Sequence, residues 1–222
     1  MLFEPLRDRY ANVMEAIMAL VRLCAVLMMI GVLDAQEPLV MNVLSFDGKG
    51  GHVELPQNLF DNLTEGTIET WVKFERFNKW SRVYDFGRKG NAAVVQVEKD
   101  NNTANFAIWD ERGRRHRIQA KKKLRKGAWH HVATVFGRSG MAFYLDGNLI
   151  GTDGFEGGLD RVAGGNNYIG KSNWNGDKPF HGQMAEFRVW NRRLSPDEIL
   201  KYKDRTLRGD EPGLAAYWRS AM

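Results

Sequence analysis

The sequence predicts an all-β fold: a two-sheet antiparallel sandwich carrying one short helix near its C-terminus. Apolar and polar residues alternate in run after run from Val43 onward, glycine-containing turns separate the runs, and a single stretch carries helix signals. In residues 67–74 (TIETWVKF), Ile68, Thr70, Val72 and Phe74 share one face, and Thr67, Glu69, Trp71 and Lys73 share the other. Trp71 on the second face implies that this face is partly covered as well. Similar runs follow at 82–86, 92–98, 104–110, 114–120, 129–136, 141–145, 167–170 and 180–190. Between them stand Asp47-Gly48, Arg112-Gly113, Ser139-Gly140 and Asp146-Gly147; the last predicts a two-residue hairpin, because Asp and Gly tolerate the positive φ of a primed turn. Ser195 followed by Pro196 and Glu198 forms the cap, first-position proline and capping box of a helix over 196–205. Residues 213–218 (GLAAYW) read as a last strand returning beside the first.

With 222 residues, 43% of them hydrophobic and 11% aromatic, the chain has enough apolar material for one sizeable core. Residues 36–222 are expected to form one domain. Glycine outnumbers proline 23 to 6, which suits short strands and tight turns rather than a proline-rich linker. Cys24 is the only cysteine, so disulfide and thiol chemistry are not expected downstream of it.

Residues 23–33 (LCAVLMMIGVL) form an uncharged apolar run of 11, preceded by Arg22 and followed by the small residue Ala35. That layout is a secretory signal, and the run is shorter than the roughly 20 residues of a membrane span. Residues 1–35 are thus expected to leave on export, with Met14 or Met18 as alternative starts; a membrane anchor and a buried helix are the competing accounts. Cleavage would remove Arg7, Arg9 and Arg22 together with Glu4, Asp8, Glu15 and Asp34, taking the net charge from +5 to +6. The expected location is secreted, periplasmic or cell-surface, with no stable membrane span after cleavage.

Four segments carry a family resemblance. LSFDGKGGHVELP at 44–56, TIETWVKF at 67–74, WHHVATVFGRSGMAFYLDG at 129–147 and IGKSNWNGDKPFHGQMAEFRVWNRRLSPDEI at 169–199 together resemble a laminin-G-like, concanavalin A-like lectin/glucanase domain. The resemblance spans about residues 43–218 and implies a jelly roll of two large sheets, one of them concave. It leaves the ligand open, since this fold hosts sugar binders, adhesion modules and hydrolases. It also implies a structural calcium near the first and last strands. Asp47 matches one expected ligand, whereas Ala185 stands where a second acid belongs and leaves Glu186 beside it, a thin donor set for an ion that takes 6 to 8 oxygens. No other cofactor is expected.

Hydrolases on this fold resemble one another in setting paired carboxylates on one strand. Glu69 has no acidic partner two residues away, Asp110-Glu111 falls at a turn, and Asp197-Glu198 opens the helix. His130 and His131 are adjacent and face opposite sides of a strand, so a framework role is expected for both. The chain therefore reads as a non-catalytic binding module.

Two features could supply the contacts. Trp80 and Trp174 sit in polar stretches beside Arg82, Asn173, Asn175 and Asp177. They either close the core edge, as is expected of Trp71, Trp129, Trp190 and Trp218, or stack on a ligand; Trp109 lies in an alternating strand and is assigned to packing. Residues 112–126 hold nine cations, among them Arg114, Arg115, Lys121, Lys122 and Lys123. They form either a ridge for sulfates and carboxylates or a solvated edge that discourages sheet pairing. The expected partner is a glycan, with preference for acidic ones, or alternatively an extracellular protein. Nucleic acid is disfavoured because no aromatic interleaves the cluster. A hydrolase with unrecognised catalytic residues is the third alternative.

Overall fold

The computed structural model describes residues 42–162 and 165–219, so the apolar run at 23–33, Cys24 and the expected cleavage region lie outside the described residues. The alternating segments form two antiparallel sheets stacked as a jelly-roll sandwich. The seven-stranded sheet contains β1 (Leu44–Asp47), β3 (Gly66–Arg76), β8 (Trp129–Phe136), β9 (Met141–Leu145), β10 (Asn148–Asp153), β12 (His181–Trp190) and β13 (Leu214–Trp218). Its order is β1-β12-β3-β8-β9-β10. β13 continues beside β1 along β12, pairing with Phe187–Trp190 while β1 pairs with His181–Met184, so the last strand does return to the first.

The six-stranded sheet has the order β2-β11-β4-β5-β6-β7. Its members are β2 (Val53–Leu55), β4 (Arg82–Arg88), β5 (Asn91–Val97), β6 (Ala104–Trp109), β7 (Arg115–Ala120) and β11 (Asn166–Ile169). β2 and β10 escape the alternation rule, being three residues long and interrupted by a bulge after Leu149 respectively. The hairpin at Asp146-Gly147 is present, with φ of 54° and 79°.

Between the sheets lies an apolar core rich in aromatic rings, including Phe74, Tyr84, Phe86, Phe106, Phe143 and Phe187. Tyr84 of one sheet and Thr134 of the other meet through their hydroxyls at 2.8 Å inside it. Because Thr134 donates to the Ile68 carbonyl, the phenol is left to donate to Thr134. The helix α1 (Pro196–Lys203) has the expected capping box at Ser195 and Glu198. It covers the outer face of the seven-stranded sheet, where Ala133, Val135, Tyr144 and Trp190 pack with Leu194 and Ile199.

Under this helix, Arg188 and Glu69 are both buried. One arginine nitrogen donates to Glu69 at 3.2 Å and to the Tyr202 carbonyl at 2.8 Å, while another donates to Glu186 at 2.7 Å. Trp190 Nε1 donates to the same Glu69 carboxylate at 3.1 Å, and His131 Nε2 lies 3.3 Å from its second oxygen. His130 is likewise framework: Arg125 N donates to its Nε2 at 3.0 Å and its Nδ1 meets Asp146 at 2.9 Å. Burial favours the neutral acid at Glu69, but His131 and Arg188 hold its carboxyl below the usual carboxylate range.

Removing one partner of such a buried pair leaves an uncompensated charge, so Glu69→Gln is expected to lose about 3–5 kcal/mol in urea unfolding. Folding holds the Glu69 carboxyl below its unfolded pKa of about 4.3, so its stabilisation is present above about pH 4.3 and fades as acid titrates it. The stability gap between wild type and variant is expected to narrow in acid.

Candidate functional site

Alternation gives the six-stranded sheet two apolar faces. Ala93, Val95, Phe106 and Ile108 point into the core, whereas Ala92, Val94 and Ala107 form a separate patch against Trp109 and Trp174. Three small or medium side chains leave space for a large ring. The loop between β11 and β12 fills that space with Trp174, whose ring centroid lies 5.1 Å from that of Trp109 at 47°.

The loop is tied down from beneath. Asn173 donates to Asp85 through its backbone N–H at 3.1 Å and through Nδ2 at 3.0 Å, and Nδ2 also reaches the Asn166 carbonyl at 3.0 Å. Ser172 Oγ donates to Asp177 at 2.7 Å and accepts from Trp174 N–H at 3.0 Å. Arg82 is buried, and its three nitrogens reach Asp85 at 3.0 Å, Asp177 at 2.8 Å and the Trp80 carbonyl at 2.7 Å. Its guanidinium lies 5.1 Å from the Trp174 ring. Burial pushes the Asp85 carboxyl up, against the pull of Arg82 and Asn173.

Trp80 adopts φ 56°, a left-handed conformation that a bulky residue rarely takes. Its N–H donates to the Lys99 carbonyl at 2.7 Å, and with the Arg82 bond this holds the strained turn. The result is a hollow of about 200 Å³ lined by Trp80, Gln96, Trp109, Arg115 and Trp174, with Arg82 and Asp177 in its wall. Arg115 is exposed, lies 5.8 Å over the Trp109 ring, and pairs with no carboxylate among the described residues.

The structure thus brings together Trp80, Arg82, Trp174, Asp177 and Arg115, and it redefines two of the expected contacts. Arg82 and Asn173 have their polar groups committed to the framework, so they position the rings rather than offer free donors. Asn175 is exposed and lines a neighbouring hollow of about 300 Å³. Arg114 faces another, of about 440 Å³, where Asp110 accepts its Nε at 2.8 Å. That larger hollow has no tryptophan and compensates its own charge, since Arg161 also stands 3.9 Å from Glu111.

Lys121, Lys122 and Lys123 are exposed in the turn beyond β7, six or more residues from Arg115 and hence roughly 20 Å along the strand. They line none of these hollows. The basic cluster is therefore split between the two ends of β7, and its middle is partly neutralised where Arg117 meets Glu98 at 3.2 Å. Trp109 lines the hollow as well as the packed patch. Its signal was parity, because it lies on the opposite face from Phe106 and pairs in register with Arg115.

The residues proposed for calcium do not fit the ion. Asp47 is paired in register with His181, five residues before Glu186 on the same strand. Its carboxylate accepts from Lys49 N–H at 2.8 Å, while the Glu186 carboxylate is engaged by Arg188 and Tyr217. Among the described residues no group of three or more His, Cys, Asp or Glu is arranged to hold a metal.

Two outcomes follow from this geometry. The thermal midpoint is expected to stay unchanged on adding calcium or chelator, since an ion that binds only the folded state would raise it. Asp85→Asn is expected to lower stability by about 3–5 kcal/mol in denaturant titration by uncovering the buried Arg82, and to alter tryptophan emission by releasing Trp174.

Comparison with known proteins accords with this architecture. The family model described as the concanavalin A-like lectin/glucanases superfamily matches residues 47–200. The CBM40 of the Ruminococcus gnavus IT-sialidase aligns at a TM-score of 0.61 and 19% identity, over 76% of this chain and 99% of that one. Domain 4 of AbnA, a GH43 extracellular arabinanase from Geobacillus stearothermophilus solved with arabinotriose, aligns at 0.57 and 18%, over 73% and 81%. A protein from Bacteroides ovatus, provisionally described as carbohydrate binding, aligns at 0.57 and 20% over 80% of this chain and 48% of its own, so the present chain spans about half its length. No curated protein matches the sequence. At these identities the solved structures share the fold alone, but the family model covers well over half the residues: the chain belongs to the concanavalin A-like lectin/glucanases superfamily.

Proposed function

We propose that the chain is an exported, non-catalytic carbohydrate-binding module that holds an acidic glycan in the hollow bounded by Trp80, Trp109 and Trp174. The observation that carries this is the convergence of three half-buried indoles with a guanidinium that has no carboxylate partner among the described residues. A sugar ring has an apolar face that an indole covers, and an arginine fork suits a carboxylate or sulfate. The R. gnavus module has also been solved with α2,3-sialyllactose, an acidic sugar, which accords with this choice.

Asp177, which lines the hollow, and Asp85 are both held by Arg82, and Asp85 is fully buried. Neither is available as the free acid or nucleophile that glycoside cleavage requires, which supports a binding role. Export rests on the apolar run at 23–33 and its flanks.

A glycan array read at two salt concentrations tests the proposal. Acidic glycans are expected to bind with an affinity that falls as salt rises, and reducing sugar is expected not to be released. Trp80→Ala and Trp109→Ala should each weaken binding about 30-fold, the effect of removing an aromatic anchor of about 2 kcal/mol. Arg115→Ala should reduce the preference for acidic over neutral glycans. Binding indifferent to all three substitutions would overturn the assignment.

A further inference from the structure

Trp174 lines two hollows. One is the Trp80 hollow; the other is the neighbouring hollow of about 300 Å³, whose lining includes His52, Lys171, Asn175, Asp177 and Lys178. Trp174 and Asp177 line both. The Trp80 hollow alone falls below the roughly 300–1,000 Å³ of an ordinary ligand pocket, whereas the two together fall within that range.

The second hollow is basic in effect. Asp177 is its one carboxylate, and Arg82 already neutralises it at 2.8 Å. Lys171 Nζ lies 4.2 Å from the Tyr168 ring centroid and 3.3 Å from His52 Nε2, and neither Lys171 nor Lys178 forms an ion pair with a carboxylate among the described residues. The walls are braced: Lys178 N–H donates to the Lys79 carbonyl at 2.9 Å, and Asn78 Nδ2 donates to the Pro179 carbonyl at 2.8 Å. Cationic side chains therefore line both hollows, Arg115 over the Trp109 ring in the first and the two lysines in the second.

Resting on the binding function proposed above, we infer that the ligand is an extended acidic oligosaccharide that straddles Trp174. One sugar occupies the Trp80 hollow, and a second presents an anionic group, carboxylate or sulfate, to Lys171 and Lys178. Trp174 is the ridge over which the chain passes. The module therefore reads a stretch of polymer rather than a single terminal sugar, and the two linked contacts strengthen each other through effective concentration.

Titration calorimetry with galacturonic acid, its trimer and its hexamer tests this, with sulfated heparin oligosaccharides and neutral cello-oligosaccharides in parallel. The carboxylated and sulfated series distinguish which anion the lysines take. Affinity is expected to rise tenfold or more from monomer to hexamer in at least one acidic series and to stay flat in the neutral one. A Lys171→Ala/Lys178→Ala variant with an unchanged thermal midpoint should lose that gain and bind the monomer as wild type does, while Lys171→Arg should keep it. Equal affinity for monomer and hexamer, or a double variant that weakens both alike, would overturn the second contact while leaving the Trp80 hollow standing. Absence of binding by any saccharide would overturn the proposed function and this inference together.

Discussion

Arg82 sits beneath Trp174 with its guanidinium removed from water and its nitrogens committed to Asp85, Asp177 and the Trp80 carbonyl. A buried cation is tolerable only when it is paired and fully hydrogen-bonded, so these partners must stay where they are. Each partner belongs to a different part of the candidate site. Asp85 anchors the Asn173 backbone, Asp177 anchors Ser172, and the Trp80 carbonyl belongs to a residue in a left-handed turn. One side chain thereby fixes two of the three indoles, and the third, Trp109, is set by the pleat of β6.

The opposite sheet uses the same physical device for a different purpose. Arg188 is buried beneath α1 and ties Glu69 and Glu186 to the carbonyls at Tyr202 and Arg205. Glu186, which the family resemblance placed beside calcium, instead supplies half of that charge balance. Its φ of 55° marks the bulge where the β12–β3 register shifts between Ala185 and Arg188. Glu186 is thus committed to an internal cation, Arg188, which also reaches the carbonyls of Tyr202 and Arg205 in the C-terminal segment.

Packing of the tryptophan cluster bears on the proposed recognition. Trp109 and Trp174, already seated on Ala92, Val94 and Ala107, would lose little side-chain freedom on meeting the proposed glycan, leaving more of the contact energy for affinity. The cations that line the two hollows, Arg115, Lys171 and Lys178, are by contrast uncommitted to carboxylates among the described residues. Committed charges build the candidate site and the uncommitted ones are those the proposed ligand would meet, a division that composition and net charge do not reveal.

Local chemistry was legible in the chain. The period-two pattern placed β3 to β9, the Asp146-Gly147 pair placed a hairpin, and Ser195 with Glu198 placed the helix start, because strand parity, primed turns and capping boxes act over a few residues. Trp80, Trp174, Arg82, Asp177 and Arg115 were also singled out by residue type and setting. Only the tertiary structure decided that Arg82 and Asn173 are framework, that Trp109 joins the other indoles, that the basic run divides at β7, and that Asp47 and Glu186 lie apart. Those outcomes depend on register and loop path between segments up to about a hundred residues apart, such as Asp85 with Asn173. No short-range preference encodes them; they are set by which arrangement leaves the buried charges paired.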